Sequence, residues 1–438
     1  MENHTLSNDE SKQLGSNDRV HPAIIATVSA VIGLVVGALG IYGLIKLIEK
    51  PCSRLDGPNP TGEHRFESLD SIELGFLKLE PESKNLIYSP LSIRYGLSLL
   101  SAGAKGTTKD EIDGLLTAAR LPQYQNISDK LSLANAVFVR DSFKSKVLPE
   151  YTQTIQNDYS GEVIYDSFSS SRNMDAWVDR KTFGLIDQIG ITPTSDTQMV
   201  LANALAIQMD WRHQFGTNST HSSSFYLNDG SEIEATTMYQ ETDASDVKYL
   251  IDDTTTAISL PLDSTTDDVD LEFIAIMPSG DLDEYIKKVN YSDLSSVVDQ
   301  MTPINPQKDS AVISIPKFKF DYALDFTNDL MSLGVKTAFN EHTADFSGMA
   351  TEPLYVSAAA HNANIDFSED GIKAAAITAF SLDAKSAEDE DEKHPVVINI
   401  NRPFLFIIRD TKNMANWFIG TVYQPNLWKD DASSYKYR

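Results

Sequence analysis

The stretch from Ser368 to Pro403 asks for two incompatible structures, and that conflict limits what the chain can fold into. It opens on the turn signal Glu369-Asp370-Gly371 and then runs through small and apolar residues with no glycine or proline. Alternate residues share a face. Ile372, Ala374, Ala376, Thr378, Phe380, Leu382 and Ala384 form one; Lys373, Ala375, Ile377, Ala379, Ser381, Asp383 and Lys385 form the other. All the charges fall on the second face, the pattern of a strand buried on one side. Three consecutive alanines suit a helical turn equally well. Directly behind, Lys385-Ser386-Ala387 and the acidic run Glu388 to Glu392 form an exposed, protease-sensitive loop. A strand fit for the middle of a sheet thus leads into a loop that a trypsin-like enzyme would cut.

The N-terminal end carries a different signal. Residues 1–21 are polar and predict a disordered leader. From Pro22 to Ile45 there are 24 residues without a charge, long enough for a helix to cross a bilayer and too long for an ordinary signal-peptide core. The expectation is one transmembrane helix over 22–48, in which Gly33 and Gly37 are ordinary membrane-helix glycines rather than a dimer seam. Lys12 and Arg19 precede the span; Lys46, Lys50 and Arg54 follow it. That small excess favours placing the large domain inside. Residues 49–65, rich in proline and glycine, form a linker. A globular domain is expected over 66–425 and a polar tail over 426–438.

The formal net charge of −27 argues against nucleic acid or an anionic membrane surface as a partner. A single cysteine, Cys52, excludes an intrachain disulfide or a multi-cysteine metal site. Asp366-x-Ser368-x-Asp370-Gly371 imitates the start of a calcium loop, but its twelfth position is Ile377 where a bidentate glutamate is needed. No nucleophile elbow, Walker loop or zinc-protease motif is present. No enzyme activity, cofactor or metal is expected.

The acid–x–glycine, the alanine run and the later Asn401-Arg-Pro-Phe-Leu-Phe-Ile-Ile-Arg409 resemble the hinge and reactive-centre loop of serpins, inhibitors of serine proteases. Further matches fall in the family's order. They include Asn85-Leu-Ile-Tyr-Ser89-Pro90-Leu-Ser92, Gly103-Ala-Lys-Gly-Thr-Thr108, Leu201-Ala-Asn203-Ala with Trp211 and Phe215 downstream, Pro316-Lys317-Phe318, Ala344-Asp-Phe-Ser-Gly348 and His361. The resemblance implies an α+β serpin fold: a large, mostly antiparallel central sheet, two smaller sheets, eight or nine helices and an exposed reactive-centre loop over about 369–402. Between Leu116 and Leu131 the chain is short. Serpins usually place a whole helix and an edge strand there, so a trimmed element is expected, without the usual basic helix for glycosaminoglycans.

The resemblance further implies a suicide inhibitor. A protease cuts the loop, and the freed strand enters the main sheet while still joined to the enzyme; serpin loop insertion is itself a standard example of such switching. About 15 inserted residues at 3.3 Å each would carry the enzyme roughly 50 Å. The family's spacing places the cut bond at Lys385–Ser386, which suits a trypsin-like pocket. Phe380 or Leu382 would serve a chymotrypsin-like enzyme. The hinge comprises Glu369, Gly371, Ile372, Ala374, Ala375, Ala376 and Thr378. Ser89, Ser92, Asn203 and His361 form the polar shutter beneath the sheet. Trp211 and Lys317 mark the upper opening, or breach, with Glu369 paired to Lys317. The chain departs from the family at Ile372, usually Thr or Ser, and at Lys373, where an acid is common. Those departures support the alternative, a non-inhibitory serpin acting as a binding or chaperone-like surface protein. A monomer is expected, with the serpin domain extracellular because an inhibitor would meet its protease there.

Overall fold

The computed structural model describes residues 31–38, 70–80, 83–116, 121–127, 129–263, 268–372 and 394–425. An eight-stranded, mostly antiparallel sheet stands with sheets of seven and four strands. Nine α-helices accompany them among the described residues. Four strands of the main sheet position the site: β1 (Val31–Ala38), β2 (Thr197–Ile207), β3 (Leu354–Phe367) and β4 (Gly371–Ile372). From one edge the order is Glu162–Asp166, Leu131–Arg140, β2, β1, β3. At the top, where β3 ends, β4 pairs with Phe367 on one side and with Met209–Asp210 on the other. The Phe318–Asp325 strand pairs with β3 along its remaining edge.

The near-continuous apolar run of β2 follows from burial on both faces. Val200, Ala202 and Ala204 lie under the Arg172–Lys181 helix with Trp177 and Val178. Met199, Leu201, Leu205 and Ile207 face the opposite way into the main core. The small alanines leave room for Trp177, whose ring meets Phe138 edge-on at 5.8 Å. Beneath the sheet runs the Pro90–Ser101 helix, started by Ser89 as N-cap and Pro90 in its first turn. Arg94 holds it through Nη2, which donates to both oxygens of the buried Glu73 carboxylate at 2.9 and 2.7 Å.

Several expectations meet a different structure. Val31–Ala38, placed by its hydropathy within a membrane helix, is a strand between β2 and β3. Among the described residues no helix is long and apolar enough to cross a membrane. The physical reason is that V-I-G-L-V-V-G-A combines β-branched and small residues, which pair in a sheet as readily as they wind in lipid. The rest of 22–48, the leader, the linker and the tail lie outside the described residues. The Arg172–Lys181 helix is left through positive φ at Phe183 and Gly184. The chain enters the domain through two short helices, Asp70–Glu73 and Gly75–Leu79, broken at Leu74. No helix occurs among residues 121–127, in the segment expected to be trimmed.

Candidate functional site at the opening of the main sheet

Two polar clusters lie along the seam between β2 and β3. The lower one gathers Ser89, Ser92, Asn203 and His361, all fully buried. The Ser89 backbone N–H donates to His361 Nε2 at 3.0 Å, and the Ser92 N–H donates to Ser89 Oγ at 3.0 Å. Ser92 Oγ donates to Asn203 Oδ1. Asn203 Nδ2 in turn donates to Asn135 Oδ1 at 2.8 Å. The cluster therefore joins the central helix to three strands. His361 stacks on Phe326, with ring centroids 5.2 Å apart. Because Nε2 accepts, Nδ1 carries the proton, and that N–H is buried without a hydrogen-bond partner. Burial lowers the His361 pKa from 6.5 to about 3, so the ring is neutral.

Asn135 was missed by sequence reasoning, although a signal was present. Leu133-Ala-Asn135-Ala repeats Leu201-Ala-Asn203-Ala, and the two asparagines sit opposite each other in register. A polar residue at the same place in two apolar strands implies a shared hydrogen bond.

The upper cluster surrounds the start of the loop. Lys317 Nζ lies 2.8 Å from Glu369 Oε2, with side chains only 6% and 10% exposed. Thr220 Oγ1 donates to the other Glu369 oxygen at 2.7 Å. Trp211 Nε1 donates to the Ser368 carbonyl at 2.8 Å, and the Trp211 and Phe215 backbone N–H groups donate to Asp370 and Glu369 carbonyls. The Trp211 ring packs edge-on against Phe367, 5.1 Å away. Gly371 is required by close approach: a Cβ there would stand 2.2 Å from the Met209 carbonyl oxygen. Ile372 is buried, pairs with Phe367 and Met209, and points into the main core. Thr220, Ser368 and Phe367 carry no distinctive sequence signal; only the fold brings them to the loop.

Between these clusters β2 and β3 flank a small cleft lined by Leu205, Ile207, Ile365, Asp366 and Ile372. Asp366 Oδ1 is buried without a hydrogen-bond partner, while Lys319 reaches Oδ2 at 2.8 Å. The structure thus brings together the residues assigned to the shutter, and separately Trp211, Lys317, Glu369, Gly371 and Ile372. Ala374, Ala375, Ala376, Thr378, Lys385 and Ser386 lie outside the described residues. Among the described residues no cluster of three His, Cys, Asp or Glu side chains could hold a metal ion.

Comparison with known proteins gives this geometry a context. Residues 75–425 match the family model described as Serpin (serine protease inhibitor). Similar proteins include Serpin-Z2B of Triticum aestivum, 29% identical over 79% of this chain and 92% of that one. A leukocyte elastase inhibitor of Xenopus tropicalis is 26% identical over 78% and 93%. The solved structure of the thermophilic serpin tengpin in its native state superposes with a TM-score of 0.68 at 24% identity, covering 84% of this chain and 96% of that one. Thyroxine-binding globulin, solved with thyroxine, has a TM-score of 0.65 at 22% identity over 82% and 99%. At those identities the solved structures speak to the fold alone.

Proposed function

The chain belongs to the serpin family, and from that premise we propose that it is a suicide-substrate inhibitor of trypsin-like serine proteases. The observation that carries the reading is β4. Ile372, the first residue of the loop strand, is already paired and buried at the head of the seam between β2 and β3. In the proposed reaction the protease serine oxygen attacks the Lys385 carbonyl carbon. The Lys385–Ser386 amide breaks, the Ser386 nitrogen leaves as an amine carrying the proton, and an ester joins Lys385 to the enzyme. Insertion of the freed strand behind Ile372 then distorts the enzyme before water completes the hydrolysis. The uncharged run from Pro22 to Ile45 is long enough for a single-pass tether over 22–48 when it is not seated in the sheet; an extracellular, monomeric inhibitor domain is proposed with it because a secreted protease would be met there.

A second reading, a non-inhibitory serpin acting as a binding surface, is favoured by β1, which stands where an inserting strand would go. Incubation with trypsin separates them. The inhibitor forms a covalent complex that survives boiling in detergent, with Lys385 as the last residue of the attached fragment. Cleavage without any such complex, in buffer and in phospholipid nanodiscs alike, would retire the inhibitory reading.

A further inference from the structure

The slot between β2 and β3 is filled from below by the chain's own N-terminal segment. β1 runs antiparallel to both neighbours, with Val31 beside Ala204 and Asn362, and Ala38 beside Leu354. β4 enters the same slot from above, and its pairing to β3 fixes a register through Phe367 and Ile372. Continued down β3 without a bulge, that register sets residue 377 beside Asn362 and residue 385 beside Leu354, since 367 + 372 = 362 + 377 = 354 + 385. These are the rungs on which Val31 and Ala38 stand. A loop strand entering behind Ile372 also runs the same way as β1, because both are antiparallel to β3. Four residues, 373–376, can follow Ile372 before the next meets a rung that β1 occupies. The two strands therefore exclude one another.

We propose that Val31–Ala38 is a built-in occupant of this strand-accepting site, and that the segment exchanges between the sheet and a lipid bilayer. An uncharged segment leaving water must find partners for every N–H and C=O, and only two places here offer them: a helix in lipid, or the middle of a sheet paired on both sides. Seated in the sheet, β1 stops loop insertion after residue 376 and leaves the molecule unable to trap an enzyme. Drawn into a bilayer, it vacates the slot and arms the molecule. Membrane attachment is then the switch for strand capture, a role that rests on the inhibitory reading only for its consequence.

The test uses the full chain in buffer and in phospholipid nanodiscs. Backbone hydrogen exchange of residues 197–204 and 354–362 should be slow in buffer and faster in nanodiscs. In a Cys52→Ser background, Leu34→Cys with Leu201→Cys, register partners of β1 and β2, should form a disulfide in buffer. That bond should prevent the rise in melting temperature after loop cleavage, and reduction in nanodiscs should restore it. The trypsin complex should be at least roughly ten-fold more abundant in nanodiscs than in buffer, the ratio set by a modest preference for the seated state. Equal exchange in both media, or no disulfide in buffer, would overturn the proposal. Slow exchange in buffer, the disulfide and its effect on melting, with no trypsin complex in either medium, would uphold the strand exchange and dismiss inhibition instead.

Discussion

Lys317 Nζ and Glu369 Oε2 meet at 2.8 Å in a site almost closed to water, at the point where the loop leaves β3. The pair ties the start of the hinge to the residue just before the Phe318–Asp325 strand, and Thr220 holds the second carboxylate oxygen. Breaking a buried pair by removing one partner typically costs about 3–5 kcal/mol, because the other charge is left uncompensated. Glu369→Lys would set two cations together and drive the hinge out of its present seat. The expected outcome is spontaneous insertion or polymerisation, seen as a ladder on native gels and early elution in size-exclusion chromatography. A variant that stays monomeric and inhibits normally would show that the pair does not gate the loop.

The neutral, buried His361 makes stability depend on pH in a stated direction. Its pKa is lowered to about 3 in the folded chain from an ordinary 6.5. The unfolded chain therefore takes up the proton first as pH falls. The stability associated with the neutral ring is complete above 6.5 and is lost progressively as pH drops toward 3. The slope is roughly 1.4 kcal/mol per pH unit, so the move from pH 6.5 to pH 5 removes about 2 kcal/mol. His361→Asn removes the titration while keeping an acceptor for the Ser89 N–H. Urea midpoints at pH 7 and pH 5 should converge in the variant and differ in the parent chain.

Lys373 acquires a partner once the register of β4 is extended. The rung below Phe367 and Ile372 sets Lys373 beside Asp366. Burial holds the Asp366 carboxyl above its ordinary pKa despite the adjacent Lys319 ammonium, and its Oδ1 is unpartnered. An entering Lys373 would bring a second cation to that oxygen. Lys373→Glu would place two acids opposite each other, a cross-strand penalty of up to about 1 kcal/mol. In phospholipid nanodiscs, with β1 out of the slot, insertion after loop cleavage should slow about two- to five-fold, followed as the rate at which the high-melting form appears. An unchanged rate would mean that the loop enters in another register.

How far the sequence could be read differs from place to place for physical reasons. Ser89-Pro90 announces a helix start because an N-cap and a first-turn proline act locally, and the helix begins there. The near-continuous apolar run of β2 follows from two buried faces, so its composition and length locate it. Ser89, Ser92, Asn203 and His361 are spread across the chain, and no local rule joins them; family order was needed. Asn135 and Asp366 are matters of register, fixed only when strands align, and Thr220 meets Glu369 only across the fold. Val31–Ala38 shows the limit most plainly. Hydropathy reports that a segment should leave water, and it does not distinguish a bilayer from the interior of a sheet.

The reactive bond offers the most direct test of the loop. Trypsin has three lysines to choose from, Lys373, Lys385 and Lys393. Lys393 immediately precedes the strand His394–Asn399, whose first residue is already paired to Asp309. A protease subsite needs extended chain on both sides of the bond, and a ladder pairing one residue away withholds it. Lys373 adjoins Ile372, which is buried and paired at the head of the seam, so it is withheld in the same way. Lys385 stands between two anchored ends, with Ser386 eight residues before His394 (394 − 386 = 8). Limited trypsin digestion should therefore release a C-terminal fragment beginning at Ser386. Lys385→Ala should remove both that fragment and the covalent complex. Lys385→Phe should transfer complex formation from trypsin to chymotrypsin, since the aromatic side chain suits an apolar specificity pocket and forfeits the buried acid. A fragment beginning at His394 instead, with the complex intact in Lys385→Ala, would move the reactive bond and lengthen the inserting strand by eight residues (393 − 385 = 8).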